Sequence, residues 1–233
     1  MWVFYMFQNI VSFIFPNYIF CTHCQINVLH ENEYLLCDTC YTKLLLQKNV
    51  QYFIYQVHNN TLHTQSVPEQ YNNYDVIGFF PYSTKDSVVR SLILSLKYNS
   101  NLDCAKILAN TIAHIISSLK FDYIIPVPSS LSNLDERRFN QMEVIAKELS
   151  AIINKPYLCN ILYRKHDNAK QMLLGKVERF HNVKDNFECN ENLQGKTILL
   201  LDDVITTGAT SYHCKNALVK KGAQVIVACI AYA

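Results

Sequence analysis

No lysine or arginine precedes Lys43. Met1 to Phe20 is largely apolar and aromatic, but Gln8, Asn9, Ser12 and Asn17 interrupt it. A secretory signal needs a positive start, and a spanning helix needs about 20 uninterrupted apolar residues. The segment has neither, so no stable membrane insertion is expected. Val3, Phe7, Ile10, Val11 and Ile14 fall near one helical face. That spacing suits a short amphipathic helix docked on the body of the protein, with a peripheral membrane contact as the alternative.

Strong charge of either sign is also lacking. Charged residues make up 17% of the chain and the net charge is +2, so the balance alone points to neither a nucleic-acid binder nor a seeker of acidic partners. Glycine is scarce beside abundant Asn, Lys, Ile and Tyr, a bias of coding composition without functional meaning. Internal repeats and low-complexity tracts are absent. An even cysteine count is absent too: nine cysteines argue against a complete disulfide framework and fit a reducing cytoplasm. A P-loop is excluded, because Gly195-Lys196-Thr197 precedes its strand and has Asn190 where an upstream glycine is required.

What is present allows a sizeable core. Half of the 233 residues are hydrophobic, enough for one large domain or a domain with a small module. Four cysteines form two Cys-x-x-Cys pairs, Cys21 with Cys24 and Cys37 with Cys40. Two such knuckles place four sulfurs at the corners of a tetrahedron about 2.3 Å from Zn²⁺. Four thiolates fill the coordination, so the site reads as structural; a dithiol redox pair or plain thiols are the alternatives. Gln25 to Leu36 has the length of a hairpin, and metal would supply stability that so small a module lacks. His23 and His30 read as bystanders. Cys104, Cys159, Cys189, Cys214 and Cys229 are scattered, mostly in apolar surroundings.

Tyr41 to Tyr55 is expected to be the helix closing the module, and His58 to Asn73, polar and without apolar periodicity, a connector. The expected organisation is 1–57 for the N-terminal helix and zinc module, 58–73 for the linker and 74–233 for the body. Along the body, Val76 to Tyr82 reads as a strand and Asp86 to Leu96 as a helix broken by Lys97 to Asn101. A second helix is expected over Leu102 to Leu119, and a buried strand over Asp122 to Ile125 that stops at Pro126-Val127-Pro128. A helix over about Gln141 to Ile153, a strand over Tyr157 to Tyr163, a cationic stretch from Arg164 to Phe187 and a last strand over Gln224 to Tyr232 complete the reading. Alternating strands and helices predict an α/β fold with a mainly parallel sheet covered on both faces.

The chain is organised around Lys196 to Thr210. Thr197 to Leu201 reads as a strand buried on both faces, ended by the adjacent carboxylates Asp202 and Asp203. Thr206, Thr207 and Gly208 form a loop, and a helical pattern follows through Ala209, Tyr212, Ala217 and Leu218. Loop and helix N–H groups suit a phosphate, Gly208 admits close backbone approach, and Thr206, Thr207 and Thr210 add hydroxyls. The carboxylates would repel phosphate, so ribose hydroxyls, or Mg²⁺ through water, fit them better.

This stretch resembles the phosphoribosyl pyrophosphate (PRPP) signature of type I phosphoribosyltransferases. The resemblance implies that Asp202 and Asp203 contact ribose hydroxyls and that Thr206, Thr207, Gly208, Ala209 and Thr210 hold the 5′-phosphate. Nearly the whole chain resembles the ComF family, in which a four-cysteine zinc module precedes a transferase-like domain. That likeness rests on the cysteine pairs, Leu96-Lys97-Tyr98, Asp122 through Pro128, Arg137-Arg138-Phe139-Asn140-Gln141, Leu162 through Arg164, Gln171, Arg179 with Asn182, and Asp202 through Thr210. Arg138 replaces the family's glycine, which puts the shape of that turn in doubt and adds a cation. The resemblance implies a pyrophosphate loop at Pro126 to Ser130, with Val127, Pro128 and Ser129 in contact, and Lys97, Arg137 and Arg179 as catalytic cations. Arg164 to Asn182 is then a catalytic hood over the diphosphate, or else a surface connector.

The family association implies a PRPP-binding protein of DNA uptake in natural transformation. Its expected partners are PRPP with Mg²⁺, single-stranded DNA and other uptake proteins, in the cytoplasm, beside structural Zn²⁺. An active phosphoribosyltransferase of nucleotide salvage and a non-catalytic interaction module with a relic PRPP loop are the alternatives. No residue is an evident nucleophile, and the acceptor is not readable.

Overall fold

The computed structural model describes residues 19–26, 28–29, 35–58, 61–64, 73–82, 86–129, 140–165 and 186–233. The expected N-terminal amphipathic helix lies outside them. A short antiparallel pair, β1 (Ile19–Phe20) and β2 (Val28–Leu29), opens the module and flanks the first cysteine knuckle. Helix α1 (Asp38–Gln47) starts at the second knuckle, with Cys37 at its N-cap position.

The helix expected to run to Tyr55 stops at Gln47. Lys48 is extended, the Asn49 N–H donates to Phe79 O at 2.9 Å, and the β-branched and aromatic run that follows becomes β3 (Gln51–His58). Strand β4 (Thr61–Thr64) falls within the stretch read as a connector and pairs antiparallel with β3. β3 also pairs antiparallel with β5 (Asn73–Pro81). The main sheet has the order β4-β3-β5-β10-β9-β6, with β6 (Tyr123–Pro126), β9 (Thr197–Ile205) and β10 (Gln224–Tyr232). β5, β10, β9 and β6 run parallel, as the alternating pattern requires.

Helices α2 (Val88–Tyr98), α3 (Asp103–Ser117) and α4 (Gln141–Ile153) bury their apolar stripes with Leu199 and Leu201 of β9. Helix α5 (Ala209–Val219) and the antiparallel pair β7 (Leu162–Arg164) and β8 (Phe187–Cys189) share a core with Ile198 and Leu200. Even and odd positions of β9 thus enter different cores, the period-two signature of a strand covered on both faces. Cys21, Leu36, Cys40 and Leu44 of the module belong to the first core. Burying them beside Val88, Val89 and Leu92 gives a small module the apolar contact it lacks alone.

Three boundaries differ from the sequence reading in ways that shape the site. β9 continues through the acidic pair to Ile205, because β10 pairs with it as far as Tyr232 opposite Ile205. Helix α2 continues through Lys97 to Tyr98 and breaks at Asn99, with Ser100 in the left-handed region at φ 53°. Lys97 therefore sits on the last turn, where a cation suits the helix dipole. The strand expected over Tyr157 to Tyr163 is reduced to β7 and one bridge from Tyr157 to Ile124, since Asn160 at φ 63° turns the chain between them.

Candidate functional site

The carboxyl ends of β6 and β9 open on a cavity of about 290 Å³. It is lined by Val127, Pro128 and Ser129 after β6, by Asp202 through Ser211, and by Lys97, Gln141, Met142 and Arg164. The crevice outside the carboxyl ends of parallel strands is where open α/β sheets take ligands. Every site residue expected from Lys97, the Val127–Ser129 loop and the Asp202–Thr210 run thus comes together here. Arg137 and Arg179 lie outside the described residues, as does most of the expected hood.

The acidic pair divides its work between the two faces of the sheet. Neighbouring strand residues point to opposite sides, and the partners differ accordingly. Asp202 is 7% exposed; Ser211 Oγ on α5 donates to its Oδ2 at 2.8 Å, and the Asp203 N–H donates to its Oδ1 at 2.9 Å. Burial raises the Asp202 carboxyl to about 7, with the neighbouring Asp203 charge adding to the rise. Asp203 turns the other way, forms an ion pair with Lys97 and accepts a hydrogen bond from Gln141 Nε2 at 3.3 Å. The pocket therefore holds one buried carboxyl that keeps its proton to higher pH than usual and one carboxylate paired with a cation.

Beyond the strand end, Gly208 caps α5 at φ 71°. That left-handed backbone favours glycine and lets the chain reverse from strand into helix. The first turn of α5 carries no acidic side chain, so the positive end of the helix dipole is uncancelled there. Thr206 and Thr207 are exposed and Thr210 is half-buried at the cavity wall. Hydroxyls, a helix N-terminus and a glycine turn together make an anion cradle.

Asn140 links the opposite wall to its helix. Its Oδ1 accepts from the Met142 N–H and from Ser129 Oγ, each at 3.0 Å, while its Nδ2 donates to Val127 O at 3.2 Å. One side chain thus caps α4 and fixes the proline-bounded loop. Gln141 is 7% exposed, and its Oε1 has no hydrogen-bond partner among the described residues. The residue lines the cavity wall, while this oxygen is itself shielded from solvent.

Sequence reasoning put Arg164 in the hood and passed over Ser211. The structure sets Arg164 at the cavity wall, its guanidinium 5.0 Å from the Phe187 ring centre. The β7–β8 pairing fixes it there, a tertiary fact with no local signal. Ser211 had a weak signal in its place on the first turn of α5.

The four cysteines form a second site. Their sulfurs lie within 4.8 Å of one another, and Cys24 and Cys37 are 4.0 Å apart. A tetrahedral zinc with bonds of about 2.3 Å places sulfurs roughly 3.8 Å apart, so this donor set fits the metal. Burial, and then the crowding of the other sulfurs, raises the Cys40 thiol well above its usual value. A metal would have to displace those protons, so its binding here depends on pH. His23 stays outside the cluster: its Nε2 is 3.0 Å from Asp86 Oδ1 and its Nδ1 2.9 Å from Ser91 Oγ.

No family model matches the chain. It is 30% identical over 129 residues to the competence protein ComFC of Bacillus subtilis, covering 47% of this chain and 49% of that protein. It is 26% identical over 222 residues to competence protein F of Haemophilus influenzae, covering 88% of this chain and 93% of that protein. The chain is a relative of the ComF competence proteins. A ribose-phosphate pyrophosphokinase of Prochlorococcus marinus is 24% identical over 167 residues, 68% of this chain and 49% of that enzyme. The chain thus spans about half the length of ComFC and of the pyrophosphokinase. Among solved structures, an adenine phosphoribosyltransferase of Leishmania donovani is similar at 10% identity and a TM-score of 0.40, over 83% of this chain and 79% of that one. The chain joins a four-cysteine cluster to a mainly parallel sheet. Among the described residues no helix is long and apolar enough to cross a membrane.

Proposed function

We propose that the cavity binds PRPP and that the chain is a cytoplasmic ComF-type protein of DNA uptake that handles single-stranded DNA. The observation that carries the PRPP reading is the join of Asp202 and Asp203 to the Thr206–Thr210 cradle at the end of β9. The α5 N-terminus and its threonines hold the 5′-phosphate. Asp203, steadied by Gln141 Nε2, accepts from ribose hydroxyls, and Asp202 holds the strand end against Ser211. The Val127–Ser129 loop takes the diphosphate, opposite Lys97 and Arg164. Asp202 is committed to Ser211 and Asp203 to Lys97, so Mg²⁺ would arrive on diphosphate oxygens and neutralise their charge. The relatives named competence proteins support the DNA role, and the pyrophosphokinase relative supports the ribose-phosphate ligand. The four-cysteine centre is assigned to structural Zn²⁺, with other uptake proteins as further partners.

Turnover is the second reading, favoured by Lys97 at the cavity wall. The ribose C1–O bond to pyrophosphate would break with its electron pair leaving on the diphosphate, while the acceptor bonds to C1. Cations facing the leaving group would stabilise that charge.

Calorimetric titration of the zinc-loaded protein with PRPP and Mg²⁺ tests the site. Saturable binding is expected, with a loss of about 100-fold in Asp203→Asn, since two charge-assisted hydrogen bonds weaken at once. No heat and no thermal shift in the parent sinks the PRPP reading and leaves a non-catalytic interaction module. Base-dependent pyrophosphate release selects the transferase. Salt-sensitive binding of single-stranded DNA without turnover selects the uptake role.

A further inference from the structure

The four-cysteine module and the PRPP cavity are joined by one helix. Three side chains of the module converge on the start of α2. His23, inside the first cysteine knuckle, contacts Asp86 at 3.0 Å and Ser91 at 2.9 Å. Lys43, one turn after Cys40, pairs with the same Asp86. Gln47, one turn further on, donates from Nε2 to Asp86 O at 2.9 Å and accepts from the Val88 N–H at 3.1 Å. The far end of α2 carries Lys97, ion-paired with Asp203 in the cavity.

These contacts depend on the metal-ligating elements in a specific way. His23 rides on the Cys21–Cys24 knuckle, while Lys43 and Gln47 ride on α1, whose start holds Cys37 and Cys40. A metal held by all four sulfurs would lock knuckle and helix together and so keep both in register on Asp86. Between the two knuckles the described backbone offers a Thr22 N–H to Leu35 O bond of 2.8 Å. Helix α2 has eleven residues, roughly 16 Å of rod, and both ends are pinned by side chains of other elements. Its buried face (Val88, Val89, Leu92, Ile93, Leu96) is shared with module residues Leu36 and Leu44. A shift at its start is carried to Lys97, because a packed helix moves as a unit.

We propose that His23, Lys43 and Gln47 are positioning residues: they clamp the start of α2 to the four-cysteine centre and so hold Lys97 against Asp203. The ligand arm of the test rests on the PRPP reading; the helix arm does not.

The experiment uses the full zinc-loaded chain, as parent, His23→Ala and Gln47→Ala. Zinc content, hydrogen exchange and PRPP affinity are measured together. Zinc is expected to stay at parent stoichiometry. Amides of residues 88–98 are expected to exchange at least ten-fold faster, while those of α5 on the other sheet face keep their rates. PRPP affinity is expected to fall three- to ten-fold, and His23→Ala added to Lys97→Ala should weaken it no further, as coupled residues are not additive. Unchanged exchange over 88–98 in both variants overturns the clamp. So does full additivity with Lys97→Ala. If the His23 variant loses zinc, Gln47→Ala, remote from the sulfurs, decides by the same exchange rates. If the parent binds no PRPP, the proposed function falls, and the exchange rates still support or overturn the clamp.

Discussion

The four-cysteine centre and the cavity are built on opposite plans. All ligands of the centre fall between Cys21 and Cys40, and two tight knuckles bring them together. The cavity takes residues from Lys97 to Ser211, delivered by α2, α4, β7, the start of α5 and the ends of β6 and β9. A centre made of near neighbours in the chain needs only local turns and a metal to close it. A cavity made of distant segments exists only when the sheet is complete. The first site should therefore answer to loss of its ligand, and the second to changes in the electrostatics and backbone of the assembled sheet.

The largest effect is expected at the metal. Cys40→Ser should abolish stoichiometric zinc and lower the midpoint of thermal unfolding by roughly 10 °C or more, as a structural zinc contributes folding free energy directly. Calorimetry with zinc quantification reads both. A variant that loses zinc but melts with the parent would mean that shared apolar burial, not metal, holds the module, and the contrast between the two sites would collapse.

A smaller effect is expected from the acidic pair. Asp202 is held near 7 in the folded protein, well above the ordinary value of 3.8. Between those values the folded state binds the proton more tightly than the unfolded chain does. Stability from this group is thus greatest below about pH 4 and declines as pH rises to about 7. Asp202→Asn should flatten that decline and raise the melting temperature by roughly 5 °C above pH 7, with little change near pH 4. Its oxygen can still accept from Ser211. Melting curves across pH check this, and an unchanged slope would place the proton elsewhere.

The smallest effect is expected at the turn into α5. Gly208→Ala places a Cβ on a backbone at φ 71°, which costs about 1–2 kcal/mol. A fall of about 2–5 °C in melting temperature should accompany a loss of PRPP affinity that exceeds the loss of stability. Equal binding by the variant would show that the helix N-terminus does not touch the phosphate, leaving the threonines as the cradle.

Helix α4 and strand β10 have the limits read from the sequence, and the cysteine pairs and the Asp202–Thr210 run sit together as their spacing implied. These features are local: apolar period, a capping Asn140, and residue types at fixed offsets. The strands β3 and β4 were not legible. Their polar and aromatic residues lack clean alternation, and pairing of β3 with β5 and of β4 with β3 completes them as strands. Arg164 was placed in the hood, since nothing near it announces that β8 will pair with β7 and hold it at the cavity wall.

Residue types and their spacing were sufficient for the thiolate set, the parallel sheet and the anion-cradling turn, because each depends on groups a few bonds apart or on a repeating burial pattern. Which way each carboxylate faces, which cation answers Asp203, and how the cysteine module reaches the cavity were settled by packing. Those relations join residues as far apart as Lys97 and Asp203, or His23 and Ser91. Only the folded sheet and the helices packed on it bring such groups within hydrogen-bonding reach.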